Sequence, residues 1–292
     1  MTPASPEERW LDVRGLRLHY RDWGGSGRPV VLLHGLASTC RIWDFVAPIL
    51  AKGFRVVAVD QRGHGESAKP QDGYDFATLV EDLRGFIGAL GLERPIVAGH
   101  SWGADVALEY AVAHPQGISG LCFVDGGTIE VSSRPGMTLE KAKEDLAPPD
   151  FTGVTIEQLK ERVKSWPMGG TVTPELAEVR LSNFEIRHDG TVRSRLSREN
   201  HMRIIEAMWE HRPSLLYPRV ECPVLLMPAR QDGVDSPMAR RFNREESIAA
   251  ATRLLPTSKA VWLEDSIHDV PLQRPELVAE VIGDHARDGF LG

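Results

Sequence analysis

The stretch that most constrains the fold of this chain runs from Pro95 to Leu108. An apolar run, Ile96-Val97-Ala98, breaks at Gly99-His100-Ser101-Trp102-Gly103 and resumes as a helical pattern through Val106, Ala107 and Leu108. A short strand without polar alternation is one buried on both faces of a sheet. Passing from such a strand directly into a helix requires a very tight turn, and Gly99 and Gly103 remove the Cβ atoms that would collide where the two elements cross. Ser101 then sits at the apex with its hydroxyl pointing away from the backbone. The Trp102 amide, in the first turn of the helix, is placed to donate to an oxyanion. The pattern G-x-S-x-G also fits an ordinary glycine-containing loop, so its meaning depends on the rest of the chain.

That rest repeats the same rhythm. Trp10 to Val13 and Leu16 to Asp22 are alternating runs joined by Arg14-Gly15, which predicts an antiparallel hairpin at a sheet edge. Pro29 to Leu33 and Phe54 to Val59 are buried strands. The first ends in His34-Gly35-Leu36, where backbone amides face the crevice beyond the strand ends, and Leu36 N–H is the second candidate oxyanion donor. The second ends in Asp60-Gln61-Arg62-Gly63-His64-Gly65-Glu66-Ser67, a turn so polar that Asp60 and Arg62 are expected to pair with each other or tie it down. His34 is read first as a structural histidine and second as a pocket residue. Phe76 to Leu90 and Trp102 to His114 carry helical spacing, Ile118 to Val124 is a further strand ending at Asp125, and Cys222 to Met227 and Ala260 to Leu263 are the last strands. Helices are expected over 239–255 and from Pro275. Strand after strand with helices between them implies a doubly wound, mostly parallel α/β sheet.

From Thr128 to Tyr217 the alternation stops. Thr155-Ile156-Glu157-Gln158 is a capping box opening a helix with Ile156, Leu159, Val163 and Trp166 on one face. Thr173-Pro174 starts another, Asp189-Gly190 suggests a hairpin, and Ser197 can cap a helix carrying Ile204, Ile205, Met208 and Trp209. The expected organisation is a core of residues 1–127 and 218–292 with a mostly helical cap, 128–217, inserted. Such a cap supplies apolar walls, with Trp166, Met208 and Trp209 as candidate pocket residues.

Composition narrows the partners. A net charge of -7 gives no electrostatic reason to expect nucleic acid or an anionic membrane, and no stretch of about 18 apolar residues occurs. The expected partner is a small-molecule substrate, with oligomeric state left open. Cys40, Cys122 and Cys222 form no C-x-x-C pair and read as reduced thiols, and the amino-terminal residues have no apolar segment after a basic start, so the cytoplasm is expected. No H-E-x-x-H or paired Cys and His spacing suggests a metal, and no cofactor is implied.

Three strand ends offer a hydroxyl, a carboxylate and an imidazole in the order Ser101, Asp232, His268. With His34-Gly35, the 60–67 turn and Gly99 to Gly103, this order resembles the α/β-hydrolase superfamily over nearly the whole chain outside the cap. The resemblance implies a catalytic triad of Ser101, His268 and Asp232, an oxyanion hole from the Leu36 and Trp102 amides, and Asp125 as the alternative acid, a position that some members use. Many members have glycine where Ser266 or Ile267 precedes the histidine. Serine at 101 argues against the haloalkane dehalogenase and epoxide hydrolase branches, which use aspartate there. The expected activity is cofactor-independent hydrolysis of a small to medium, largely apolar carboxylic ester. Lactone, carbon–carbon and amide hydrolysis share the apparatus, and a binding protein with little turnover is the reading of another class.

Overall fold

In the computed structural model, which describes residues 5–166, 171–230 and 244–292, the unbroken apolar runs form the middle of an eight-stranded sheet. Its strands are β1 (Glu7–Val13), β2 (Leu16–Gly24), β3 (Pro29–Leu33), β4 (Arg55–Val59), β5 (Ile96–His100) and β6 (Gly120–Val124). After β7 (Phe184–Ile186) and β8 (Val192–Ser194), which pair with each other in a separate hairpin, β9 (Val224–Met227) and β10 (Ser258–Ala260) complete it. The order is β1-β2-β4-β3-β5-β6-β9-β10. β1 and β2 pair antiparallel, as does β2 with β4; every pair from β4–β3 onward is parallel.

Alternate residues of each central strand enter opposite layers. Val31, Leu33, Val57, Val59, Val97, Phe123 and Leu226 face one core. Val30, Leu32, Val56, Ala58, Ile96, Ala98 and Leu225 face the other. A strand with two buried faces cannot alternate with polar residues, which is why these segments are uniformly apolar. The expected last strand, Ala260 to Leu263, lies two residues earlier, at Ser258–Ala260, and Leu263 makes only an isolated bridge to Ala229. At this sheet edge a strand needs only one partner, and its exposed residues Lys259 and Ala260 carry no apolar signal.

Helices cover both layers. Going along the chain they are α1 (Ala47–Leu50), α2 (Phe76–Ala89), α3 (Trp102–Ala113), α4 (Leu139–Asp145), α5 (Ile156–Lys164), α6 (Pro174–Leu181), α7 (Arg198–Glu210) and α8 (Pro213–Leu216), then α9 (Arg244–Leu254), α10 (Val270–Gln273) and α11 (Pro275–Arg287). α2 and α3 bury Leu79, Leu83, Phe86, Val106 and Leu108 on one face of the sheet, and α11 buries Val278 and Ile282 on the other. The segment between β6 and β9 holds α4 to α8 and the β7–β8 hairpin. Its capping box at Thr155 and Gln158, Pro174 at the first position of α6 and the Ser197 cap of α7 all take the forms that their sequence signals specify.

The strand order reverses at β3, whose neighbours are β4 on one side and β5 on the other. Loops leaving adjacent strands in opposite directions open a crevice beyond their carboxyl ends. Here those loops carry Leu36 and Ser101.

Candidate active site

Ser101 occupies the strained apex of the β5–α3 turn, with φ 53° and ψ −126°. For a residue bearing a Cβ this costs on the order of 1–3 kcal/mol and persists only where packing imposes it. The packing is explicit: a Cβ on Gly99 would lie 2.3 Å from the Gly103 carbonyl carbon, and one on Gly103 would lie 2.6 Å from the His34 carbonyl oxygen. Strand and helix touch backbone to backbone, which lifts residue 101 out of the sheet.

His268 arrives from the loop preceding α10. Its Nε2 is 3.0 Å from Ser101 Oγ and its Nδ1 is 2.6 Å from Asp125 Oδ2. A carboxylate only accepts, so Nδ1 carries the proton, and Nε2 faces the hydroxyl with its lone pair. Asp125 stands just past β6 with φ 45° and a side chain wholly shielded from solvent. Its other oxygen, Oδ1, accepts from Ala229 N–H at 3.0 Å and from Arg244 of α9. Burial works to raise the Asp125 pKa, yet the His268 hydrogen bond, the imidazole and Arg244 outweigh it and hold the carboxyl below its usual range. On His268 burial opposes the charged form, but the Asp125 hydrogen bond and charge, with Asp269 adding, raise its pKa above the ordinary imidazole value. The ring sits deep among protein atoms while keeping 40% of its side-chain surface open, so it can meet a ligand.

The carboxylate that meets His268 is Asp125, the alternative acid, while the first choice, Asp232, lies outside the described residues together with Asp235. The resemblance favoured Asp232 because its place in the chain is the one the superfamily most often uses, and the contact with His268 is what brings Asp125 forward.

A cavity of about 120 Å³ opens on Ser101 and His268. Its walls are Gly35 to Ser38 and Ile42 on the β3 side, His100, Asp269 and Leu272 below, and Val179, Arg180 and Asn183 of the inserted segment above. Among the described residues, the N–H groups of Leu36 and Trp102 have no hydrogen-bond acceptor. The pocket side chains expected from sequence do not line this cavity. Met208 is buried in the main core with Trp209 packed on it, and Trp166 joins a small cluster under α5, its ring 4.9 Å from Arg180 Cζ. Large apolar residues on amphipathic helices satisfied their own packing, and the wall over Ser101 came from the carboxyl end of α6, which no apolar stripe marked.

His34 is a structural residue. Fully buried, it donates from Nδ1 to Gly35 O at 2.8 Å and accepts at Nε2 from Gln61 N–H at 3.0 Å, which leaves no ring nitrogen for a ligand. Asp60 and Arg62 each tie down the polar turn without pairing with each other. Asp60 holds His19 Nδ1 at 2.7 Å, Cys40 N–H at 2.7 Å and Glu66 N–H at 2.9 Å, while Arg62 pairs with Asp82 of α2. Arg180 of α6 forms an ion pair with Asp269, the residue after His268, and Thr39 Oγ1 lies 3.0 Å from Ser182 Oγ. These contacts join the inserted segment to the loop after β3 and to the loop bearing His268. No helix among the described residues is long and apolar enough to cross a membrane.

Comparison with known proteins bears on the fold and the family. A soluble epoxide hydrolase of Corynebacterium sp. strain C12 is 40% identical over 113 residues, 39% of this chain and 39% of that protein. Epoxide hydrolase B of Mycobacterium tuberculosis strain H37Rv is 35% identical over 193 residues, 58% of this chain and 54% of that protein. The matched part thus spans between about two fifths and just over half of these relatives' length. Among solved structures, E-2-(acetamidomethylene)succinate hydrolase superposes with a TM-score of 0.79 at 23% identity, covering 97% of this chain and 99% of that one. A likeness at that identity concerns the fold. The family profile of the alpha/beta hydrolase fold matches residues 28–254, most of the sheet and the whole inserted segment, and the chain belongs to that family.

Proposed function

We propose that this chain is a cofactor-independent serine hydrolase that cleaves carboxylic esters through an acyl-enzyme on Ser101. The observation that carries the reading is the unbroken relay from Ser101 Oγ through His268 to Asp125, at 3.0 and 2.6 Å. A serine hydroxyl is a poor nucleophile at neutral pH and needs a base within hydrogen-bond reach. As Ser101 Oγ adds to the ester carbonyl, His268 Nε2 takes its proton, and Asp125 fixes the tautomer and stabilises the imidazolium. The Leu36 and Trp102 amides receive the developing oxyanion, each such donor typically lowering the barrier by about 3–4 kcal/mol. Collapse expels the alcohol, which takes the proton from His268. Water then adds to the acyl-enzyme with His268 again as base, releasing the acid and restoring Ser101.

The named relatives include epoxide hydrolases, and the nucleophile argues against that reaction here. Opening an epoxide with a serine oxygen leaves an ether, which has no carbonyl for water to attack, so the enzyme would remain alkylated. An acyl ester on serine is hydrolysable. Residues 128–217 act as the cap in this reading, and the described cavity, with room for about four water-sized groups, favours a short acyl chain. We further infer the cytoplasm as its compartment, on the ground that Cys40, Cys122 and Cys222 are buried, unpaired thiols.

Active-site labelling with a fluorophosphonate probe tests the proposal, alongside turnover of p-nitrophenyl esters of graded chain length, a lactone, an anilide and styrene oxide. Wild type labels, Ser101→Ala does not, and acetyl to butyryl esters turn over fastest. Absence of label on wild type would point to a binding protein. Turnover of styrene oxide or of the anilide without any ester would overturn the ester assignment.

A further inference from the structure

Three segments converge on the reacting atoms: the turn bearing Ser101, the loop after β3 and the loop bearing His268. One side chain touches all three. His100, the last residue of β5, is 2% exposed. Its Nε2 lies 2.8 Å from the His268 carbonyl oxygen, and the two imidazole rings are 4.8 Å apart, centroid to centroid. The opposite edge of the ring abuts Gly35, where a Cβ would lie 3.2 Å from His100 Nδ1 and 3.0 Å from Ser101 Cβ.

A carbonyl only accepts, so the proton of His100 is on Nε2, and Nδ1 holds a lone pair. Nδ1 is buried and has no hydrogen-bond partner among the described residues. Leaving such a group unsatisfied is destabilising, a cost an aliphatic residue at the same place in the sheet would not incur. The bond to the His268 loop is what the ring offers in return. Burial foremost, then the neighbouring His268 charge, push the His100 pKa down to about 4. The ring therefore stays neutral while His268 cycles through its charged form.

We propose that His100 is a positioning residue, which bolts the backbone of the His268 loop to the residue preceding the nucleophile and thereby sets the Nε2 to Oγ distance. Its kinetic consequence rests on the serine-hydrolase reading above. The need is physical: the His268 ring is open on its cavity side and comes from a loop 167 residues away from Ser101 in sequence. Misplacing a reacting group by about 1 Å can cost roughly 100-fold in rate.

The test compares His100→Leu, His100→Gln and His100→Asn. Glutamine carries an amide N–H to about where Nε2 stands, whereas asparagine reaches only as far as Nδ1. Two quantities are read: the second-order rate of fluorophosphonate labelling, and the downfield proton resonance of His268 Nδ1–H against Asp125. Labelling falls about tenfold or more in the leucine and asparagine variants and stays within about threefold of wild type in the glutamine variant. The resonance stays sharp in wild type and His100→Gln and broadens or vanishes in the other two. Equal behaviour of the glutamine and asparagine variants, or a folded His100→Leu with wild-type rate and resonance, would overturn the proposal. If wild type takes no label, the serine-hydrolase reading fails on its own, and the resonance comparison still decides the role of His100.

Discussion

At the scale of single residues, the choice of acid is the sharpest distinction. Asp125 touches His268, and its carboxylate is held in place by the Ala229 amide and Arg244. Asp125→Asn is therefore expected to lower kcat by about 10³- to 10⁴-fold, because an amide that donates to Nδ1 stabilises the wrong tautomer. Asp232→Asn is expected to leave kcat within about threefold, and steady-state kinetics on one ester separates the two. The pH profile follows from the same contact. His268 must be neutral to act as base, and Asp125 raises its pKa against the opposing effect of burial. The acid limb of kcat/KM therefore lies above pH 6.5, the ordinary imidazole value, and in Asp125→Asn it moves to lower pH as the plateau falls. A limb unmoved by the substitution would remove Asp125 from the relay.

Helices and strands carry the next distinction, where the inserted segment meets α3, the helix that follows Ser101. His211, just past α7, places Nδ1 2.8 Å from Glu109 Oε1 and Nε2 3.5 Å from Asp105 Oδ1, both carboxylates on α3, while Phe76 stacks on the ring at 4.4 Å. Burial disfavours the charged ring, but the two carboxylates win and raise its pKa to about 9. A raised imidazole pKa contributes stability that is fully present below pH 6.5 and is lost as pH rises to about 9. The urea midpoint of wild type is expected to fall across that window by an amount corresponding to about 3 kcal/mol, and His211→Gln to remove the slope by being destabilised throughout. Parallel slopes in the two proteins would show that the contact does not tie α7 to α3. Asp105 was invisible as a partner in the sequence, because a carboxylate in the first turn of a helix is equally explained by the helix dipole.

Over the whole molecule, α6 ties the inserted segment to the crevice through polar contacts. Arg180 pairs with Asp269, Thr39 meets Ser182 and Arg41 lies 3.9 Å from Glu178, so the carboxyl half of α6 rests on both loops that flank Ser101. Arg180 holds the Asp269 carboxyl below its usual range despite burial. Arg180→Gln is expected to speed amide hydrogen exchange over residues 174–183 by about tenfold, the loss of one charge-assisted bond, and to leave α2 and α3 unchanged. Exchange that is unaltered over α6 would mean that other contacts hold the inserted segment in place.

The division between what was legible and what was not has a physical basis. Periodicity and turn chemistry are local, and they placed the sheet, its antiparallel edge, the strained serine turn and the caps at Thr155, Thr173 and Ser197, because each depends on residues within a few positions of one another. The approach of His268 to Ser101 was readable only through the chain order that the resemblance supplied. The partner of His268, the wall of the cavity and the clamp at His100 required the tertiary structure. Asp125 and Asp232 each follow an apolar run in the sequence, and it took the approach of the His268 ring in space to show that Asp125 is bound by it. Large apolar side chains likewise announce that they will be buried, but not against what, since burial energy is non-directional.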